Sequence, residues 1–438
     1  MNADAWVAQG RLTSTRKGEP LWGALMLILL VSYPVALLAG YKIFYIVGLW
    51  AFAMMCLMAL MRKRFFVSEV RDARYVYLFF GVIAASYLWA FDPPQTLYKA
   101  AIYLIFPWIF AVSSNEVRNG NRRWLNRAAV LIPFTVLALA LGVIWHYGVL
   151  RAETRSMYED VGSFANSIGA LVTICLPYLV QTVKRRGMTE RGPGERLAAF
   201  CAIGAVAVVV VLSESRGAIL NLLVSLVLLG AVFSRSSGLR IMDALILLLC
   251  LLVPLLIILS SFTFDPDSLV GKVVSRFKDS QIYEIANPNF MPSRTESDYA
   301  RALMYYDGVQ LIRENPVRGI GYGGFRSYFE SRHGFPLESH NIVITLWGEL
   351  GLAGLLVFGL LLLEALRRLW RARSAALLSG NLPDFYFHSA TLSALLLVLL
   401  QSLFRPQLEN PLLYAVLGAA FAIPRMAKAK ARRTGRRP

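Results

Sequence analysis

Apolar residues in this chain gather into long, nearly unbroken runs separated by short polar links. The pattern shows neither the alternation of a half-buried strand nor the single apolar stripe of a helix lying on a soluble core. A hydrocarbon crossing needs about 20 apolar residues, and only helices or closed barrels satisfy their backbone polar groups there. The runs predict spans at about 21–41, 43–61, 75–91, 98–113, 128–149, 166–183, 196–213, 216–234, 241–262, 340–366, 385–404 and 410–425. The expected fold is therefore all-α and integral to the membrane, a polytopic bundle of about 12 transmembrane helices. One long extracytoplasmic loop, holding a short amphipathic helix, interrupts it. The expected organisation is a cytoplasmic tail over 1–20, about nine spans over 21–262, the loop over 263–339, about three spans over 340–425, and a basic tail over 426–438. No compact signal-peptide pattern with a small-residue cleavage site precedes the first run, which is read as retained.

Composition agrees with the pattern. The 438 residues are 57% hydrophobic, against roughly 45–50% in soluble domains, and mean hydropathy is +0.54. The net charge of +18 raises the question of nucleic acid, but the basic residues concentrate in alternate links. Examples are Arg62, Lys63 and Arg64; Arg122 and Arg123; Lys184, Arg185 and Arg186; and Arg367 and Arg368. Short loops rich in Lys and Arg stay cytoplasmic, which places both termini inside. The tail KAKARRTGRR then reads as a topogenic signal and a contact for anionic membrane lipids, not for nucleic acid. Cys56, Cys175, Cys201 and Cys250 all lie in apolar runs without metal-type spacing, so neither a disulfide framework nor a zinc site is expected.

That orientation puts 263–339 outside. Within it, TESDYARALMYYDGVQLIRENP predicts a helix capped by Ser297 and stopped by Pro316, with Ala302, Tyr305, Tyr306, Val309 and Ile312 on one face. It should lie on the membrane surface and roof the bundle. The glycine-rich NPVRGIGYGGF follows as a turn.

Chemistry-bearing residues cluster around this loop. His340 stands where the loop meets a span, and an imidazole titrating near about pH 6.5 can accept a proton from a hydroxyl. Asn341, Thr345, Gly348 and Glu349 follow at helical spacing as a polar stripe on an apolar helix, an arrangement that usually faces a cavity or a partner. The plainer reading is that His340 and the stripe only cap and pack a helix entrance. His146 and His333 are also candidates for the outer face, but neither begins a span with such a stripe. His388 falls on the cytoplasmic side as an interface residue.

Arg216, in the outer turn LSESRGAIL, sits where the charge rule disfavours it. It either snorkels to lipid phosphate or uses its planar fork of donors to bind a phosphate-bearing ligand. Arg301 and Arg294 can join it if the loop folds back over the bundle, and Lys99 in LYKAAIY is a weaker cation at the outer end of a span. Asp265, Pro266 and Asp267 imitate the DxD of nucleotide-sugar transferases on the wrong side of the membrane. GIGYGGF lacks the Lys and Ser/Thr of a P-loop. No carboxylate cluster promises a metal.

Taken in order, SRGAIL, Arg301 four residues ahead of Tyr305, NPVRGIGYGGF and SHNIVITLWGELGLAGL resemble the O-antigen ligase family, which shares its pattern with O-antigen polymerases and protein O-oligosaccharyltransferases. GSFANSIGALV over Gly162–Val172 resembles the family's upstream element, with Ser167 where Asn is often seen; Tyr305 stands where Trp is common. The resemblance implies a metal-independent, inverting membrane glycosyltransferase with no cofactor, working at the periplasmic face of the bacterial inner membrane. The donor would be an O-antigen glycan on undecaprenyl pyrophosphate and the acceptor a sugar hydroxyl of lipid A-core. In that reading His340 is the general base, Arg216, Arg301 and Arg294 hold the pyrophosphate, and Lys99 and Asn341 support them. The rival expectations are a polymerase, a protein oligosaccharyltransferase and, from another class, a lipid-linked glycan transporter, against which the lack of an internal repeat counts.

Overall fold

The computed structural model describes residues 27–28, 30–31, 74–103, 105–118, 122–150, 172–183, 193–212, 222–225, 296–403 and 408–433. Arg216, Arg294 and the expected spans over 43–61 and 241–262 lie outside the described residues. No strand occurs among those described, and the regular elements are helical throughout. They are α1 (Arg74–Ala85) with a 3₁₀ turn at Ser86–Trp89, α2 (Pro93–Tyr103), α3 (Ile105–Arg118), α4 (Arg123–Leu150), α5 (Val172–Val183) and α6 (Pro193–Leu212). After these come α7 (Glu296–Glu314), α8 (Gly324–His333), a π-helical turn (Ile344–Glu349), α9 (Gly351–Leu378), α10 (Leu382–Ser402) and α11 (Pro411–Arg433). Pro93–Arg118 and Leu382–Ser402 are long and apolar enough to cross a membrane, and Arg74–Trp89, Val172–Val183, Leu197–Val210 and Pro411–Ala422 are shorter apolar helices.

Apolar helices gain little hydrophobic driving force from one another in lipid, so close packing and buried hydrogen bonds hold them. The α3–α11 pair shows how. Ala415, Gly418, Ala419 and Ala422 give α11 a smooth face, and a Cβ at Gly418 would collide with the Phe110 carbonyl oxygen. The Ser113 hydroxyl donates to the Ala415 carbonyl at 2.5 Å, and Phe106 stacks on Tyr414 at 4.6 Å between centroids. Elsewhere Phe79 of α1 meets Phe358 of α9 at 4.9 Å. Tyr178 of α5 donates to Thr391 of α10 at 3.2 Å, and Gln401 of α10 donates to Thr173 at 2.7 Å. On α9, Leu352, Leu356, Leu360 and Leu363 are exposed, the outward stripe expected of a helix that meets lipid. His388 is packed inside this bundle, only 5% exposed. The α9–α10 hairpin turns at Gly380, φ +65°, and Asn381 caps α10 by accepting from the Asp384 amide.

A second, smaller apolar core joins α7, α8 and the π-helical turn through Met304, Leu311, Ile320, Phe325, Tyr328, Phe329 and Ile344. The expected helix is present, beginning at Glu296, one residue ahead of Ser297. The face that packs on the protein is the opposite one to that bearing Tyr305, Tyr306 and Val309. Tyr305, Tyr306 and Val309 are exposed, whereas Met304, Asp307, Gly308 and Leu311 are buried. Two features account for this. Gly308 lets Ile344 approach so closely that a Cβ there would overlap its side chain. Asp307 can be buried because the Arg332 guanidinium pairs with one of its oxygens at 3.3 Å and the His333 ring contacts the other at 2.5 Å.

The expected continuous helix from His340 also differs. Residues 344–349 wind as a π-helical turn, and α9 begins afresh at Gly351, whose φ is +70°. A Cβ at Gly351 would strike the Val317 carbonyl oxygen, so the break exists where the loop's backbone docks against the helix end. The polar stripe consequently does not run down one α-helical face.

Candidate active site

NPVRGIGYGGF forms a strap between the π-helical turn and the corner joining α1 to α2. Gly319, Gly321 and Gly323 have φ of +70°, +90° and +80°, and each lies against something that leaves no room for a Cβ: the Glu349 backbone, Ala90 and the Lys99 side chain respectively. Every amide from Gly319 to Phe325 is already used. Gly319 donates to Asn315 O, Ile320 to Gly348 O, Gly321 to Glu349 O, Tyr322 to Ser86 Oγ and Gly324 to Gly321 O. Gly323 and Phe325 both donate to the Glu349 carboxyl, at 2.8 and 3.3 Å, which satisfies amides that the first turn of α8 would leave bare. The strap looks like a phosphate loop in sequence, but its donors are consumed in docking.

The corner receives the strap with equal specificity. The Phe91 amide donates to Ile320 O at 2.7 Å, and the Trp89 indole donates to Arg318 O at 2.8 Å. Ser327 donates to Asp92 at 2.5 Å, and on the other side the Trp347 indole donates to Pro316 O at 2.9 Å. Tyr322 is buried at the centre. Burial, with the nearby acid Glu409, pushes its phenol well above the usual tyrosine range, so it remains a hydroxyl and donates to Tyr103 Oη at 2.7 Å. Tyr328, in α8, is pushed up to about 12 by burial and donates to Glu314 at 3.2 Å.

His340 is half-buried at the end of the irregular segment that follows α8. Its backbone N–H points to Met304 Sδ of α7 at 2.9 Å. Arg301 lies one helical turn before Met304 on α7, so the structure brings the backbones of these two sequence-predicted residues to one locality. Asn341 is a local cap: its side-chain oxygen accepts from Val343 N at 2.8 Å, and its amide nitrogen donates to Leu403 O at 3.2 Å. Thr345 Oγ1 contacts Ser339 Oγ at 2.6 Å and donates to Asn341 O. Gly348 packs on Leu311. The stripe residues thus hold the segment in place. Among the described residues no three His, Cys, Asp or Glu side chains group as metal ligands.

Residues 197–359 match the family model described as O-antigen ligase. The match takes in Arg216, Arg294, Arg301, His340, the whole strap and the start of α9. Over this stretch the chain is similar to the O-antigen ligase family. Comparison with curated proteins gave no match. The match suggests a glycosyltransferase-like membrane enzyme, and Pro93–Arg118 and Leu382–Ser402 are long and apolar enough to cross a bilayer.

Lys99 and Glu409 lie outside the O-antigen ligase match and yet meet at its edge. The Lys99 ammonium is 2.6 Å from Glu409 Oε1 and 3.2 Å from Glu338 Oε1. Sequence reasoning treated Lys99 as a cation near the outer end of a span; the structure shows its charge shared by two carboxylates. Glu409 and Glu338 were not singled out, and neither was Tyr322. The available signal was the acid Glu409 itself, directly before the apolar run that starts at Pro411, a place where an unpaired carboxylate is costly.

Proposed function

We propose that the protein is an O-antigen ligase. It moves a glycan from undecaprenyl pyrophosphate to a sugar hydroxyl of lipid A-core at the periplasmic face of the bacterial inner membrane, with both termini in the cytoplasm. The family match over 197–359 carries this reading, since it spans the arginines and the histidine on which the chemistry depends. His340 takes the proton from the acceptor hydroxyl as the oxygen attacks the anomeric carbon. The glycan–phosphate bond breaks as the new glycosidic bond forms, inverting the anomeric centre and releasing undecaprenyl pyrophosphate. Arg216 and Arg301, with Arg294, bind the pyrophosphate and stabilise the charge that builds on it. Lys99 and Asn341 act in support, through the segments they hold. No cofactor is required, because the pyrophosphate bond brings the energy with it.

A positioned general base contributes roughly 10²–10⁴ in rate, so His340→Ala should cut transfer by that factor while the protein still accumulates in the membrane. The assay is purified protein in liposomes with labelled lipid-linked glycan, lipid A-core and a chelator. Label on lipid A-core establishes the ligase. Longer lipid-linked chains in place of core product would identify a polymerase, transfer to a protein Ser or Thr an oligosaccharyltransferase, and movement without covalent product a transporter. Parental transfer by His340→Ala would remove the base.

A further inference from the structure

We propose that Lys99 and Glu409 form a clamp that positions the segment carrying His340, with Glu338 as the part it grips. The inference deepens the reading above and rests on it for the role of His340. The chain from Phe335 to His340 has no regular secondary structure, so nothing but side-chain and backbone contacts can set where His340 stands. Three consecutive residues are each held by a different element. Glu338 pairs with Lys99 of α2, Ser339 contacts Thr345 of the π-helical turn, and the His340 amide meets Met304 of α7.

The Lys99 contact differs from the other two because it reaches the transmembrane bundle. It also differs in how its two halves are buried. The side chains of Lys99 and Glu409 are 11% and 17% exposed and lie 2.6 Å apart, forming a tight pair beneath the loop. Glu338 is 50% exposed and 3.2 Å away. One half is therefore a fixed post and the other a grip on a segment that would otherwise be loose. The post has further bracing. Lys99 Cγ lies where a Cβ on Gly323 would be, at 2.8 Å, and Tyr103, one turn along α2, receives the Tyr322 hydroxyl. Tyr322 also reaches Glu409 Oε1 at 3.4 Å. An ion pair serving stability alone would not need to join a half-exposed acid two residues from the histidine, across 239 positions of chain. Lys99 acts here through Glu338 and is a positioning residue.

The decisive variant is Glu338→Ala, which releases the grip and leaves the buried Lys99–Glu409 pair intact. Transfer of glycan from undecaprenyl pyrophosphate to lipid A-core should fall about tenfold in kcat, since displacements of about 1 Å at a reacting group are that costly or more. KM for the lipid-linked donor should stay within about twofold. Amide hydrogen exchange in a peptide covering 335–341 should speed up about tenfold. Lys99→Met should give the same two effects, and the double variant should be no slower than the worse single one. Should Lys99→Met fail to accumulate in the membrane, Glu338→Ala decides alone. Unchanged kcat with unchanged exchange overturns the clamp, and so does a rise in KM at constant kcat, which would mean that these residues bind donor directly. If instead His340→Ala keeps parental transfer, the base assignment fails while the exchange measurement still tests the clamp.

Discussion

Replacing Gly321 by Ala isolates how the strap docks. At φ +90° an alanine adopts a backbone conformation that costs roughly 1–3 kcal/mol, and the new Cβ would stand 2.6 Å from Ala90 Cβ, 2.7 Å from Ala90 Cα and 3.0 Å from Thr96 Oγ1. Ordinary carbon contacts are about 3.5–4.0 Å, so strap and corner must separate by about 1 Å. Neither side can rotate out of the way, because the nearest atoms belong to backbone and to a Cβ. The shift strains the Phe91–Ile320 and Tyr322–Ser86 hydrogen bonds, at 2.7 and 3.1 Å, and the overpacking adds roughly 1–3 kcal/mol. A total loss of about 2–6 kcal/mol follows. Gly334 is the control: its φ is +77°, but a Cβ there meets nothing within 4 Å, so Gly334→Ala carries only the conformational cost, roughly 1–3 kcal/mol. Thermal unfolding of the purified variants in detergent, followed by tryptophan fluorescence, gives the comparison. Equal destabilisation by the two alanines would refute the claim that strap and corner are in backbone contact.

Other substitutions test separate joints. Glu349→Ala leaves two buried amides without an acceptor, a loss of about 2–5 kcal/mol, and Glu349→Gln, which keeps one acceptor oxygen, should lose less; the ranking is read from the same melts. Asp307→Asn weakens the link from α7 to Arg332 and His333, and because Arg332 is partly open to solvent the cost should be roughly 1–3 kcal/mol. Hydrogen exchange should rise in α7 and α8 and stay unchanged in α10. Gly359, inside α9 with nothing within 4 Å of an added Cβ, should accept Ala with a gain of up to about 1 kcal/mol, seen as a higher Tm.

Much of the architecture was legible because burial in lipid writes itself as long apolar runs, and the α7 helix was legible from its Pro316 stop and its periodicity. The details that failed depend on contacts between distant segments. The periodicity of α7 groups Tyr305, Tyr306 and Val309 on one face but does not say which face packs against the protein. The buried face is the one with Asp307, because a carboxylate can be buried once Arg332 and His333, some 25 residues onward, supply its partners. The break at Gly351 was invisible for a similar reason. A glycine in an apolar run signals nothing until Val317 is seen to dock against it.

The glycine-rich strap changes what the polar residues near His340 mean. A sequence such as GIGYGG invites a phosphate-cradling reading, in which bare backbone amides face an anion. Here each amide from Gly319 to Phe325 has a protein acceptor, two of them on Glu349. The stripe from Asn341 to Glu349 and the glycines are then two halves of one joint, and the strap's amides from Gly319 to Phe325 are spent within it. The strap's backbone is therefore not the anion site, a role that Arg216, Arg294 and Arg301 are proposed to fill with their side chains. On this argument, substitutions in the strap should lower transfer in proportion to the stability they remove. Substitutions of the three arginines should raise the donor KM or lower kcat with no loss of stability, and an arginine variant that instead melted early would return the anion site to the backbone.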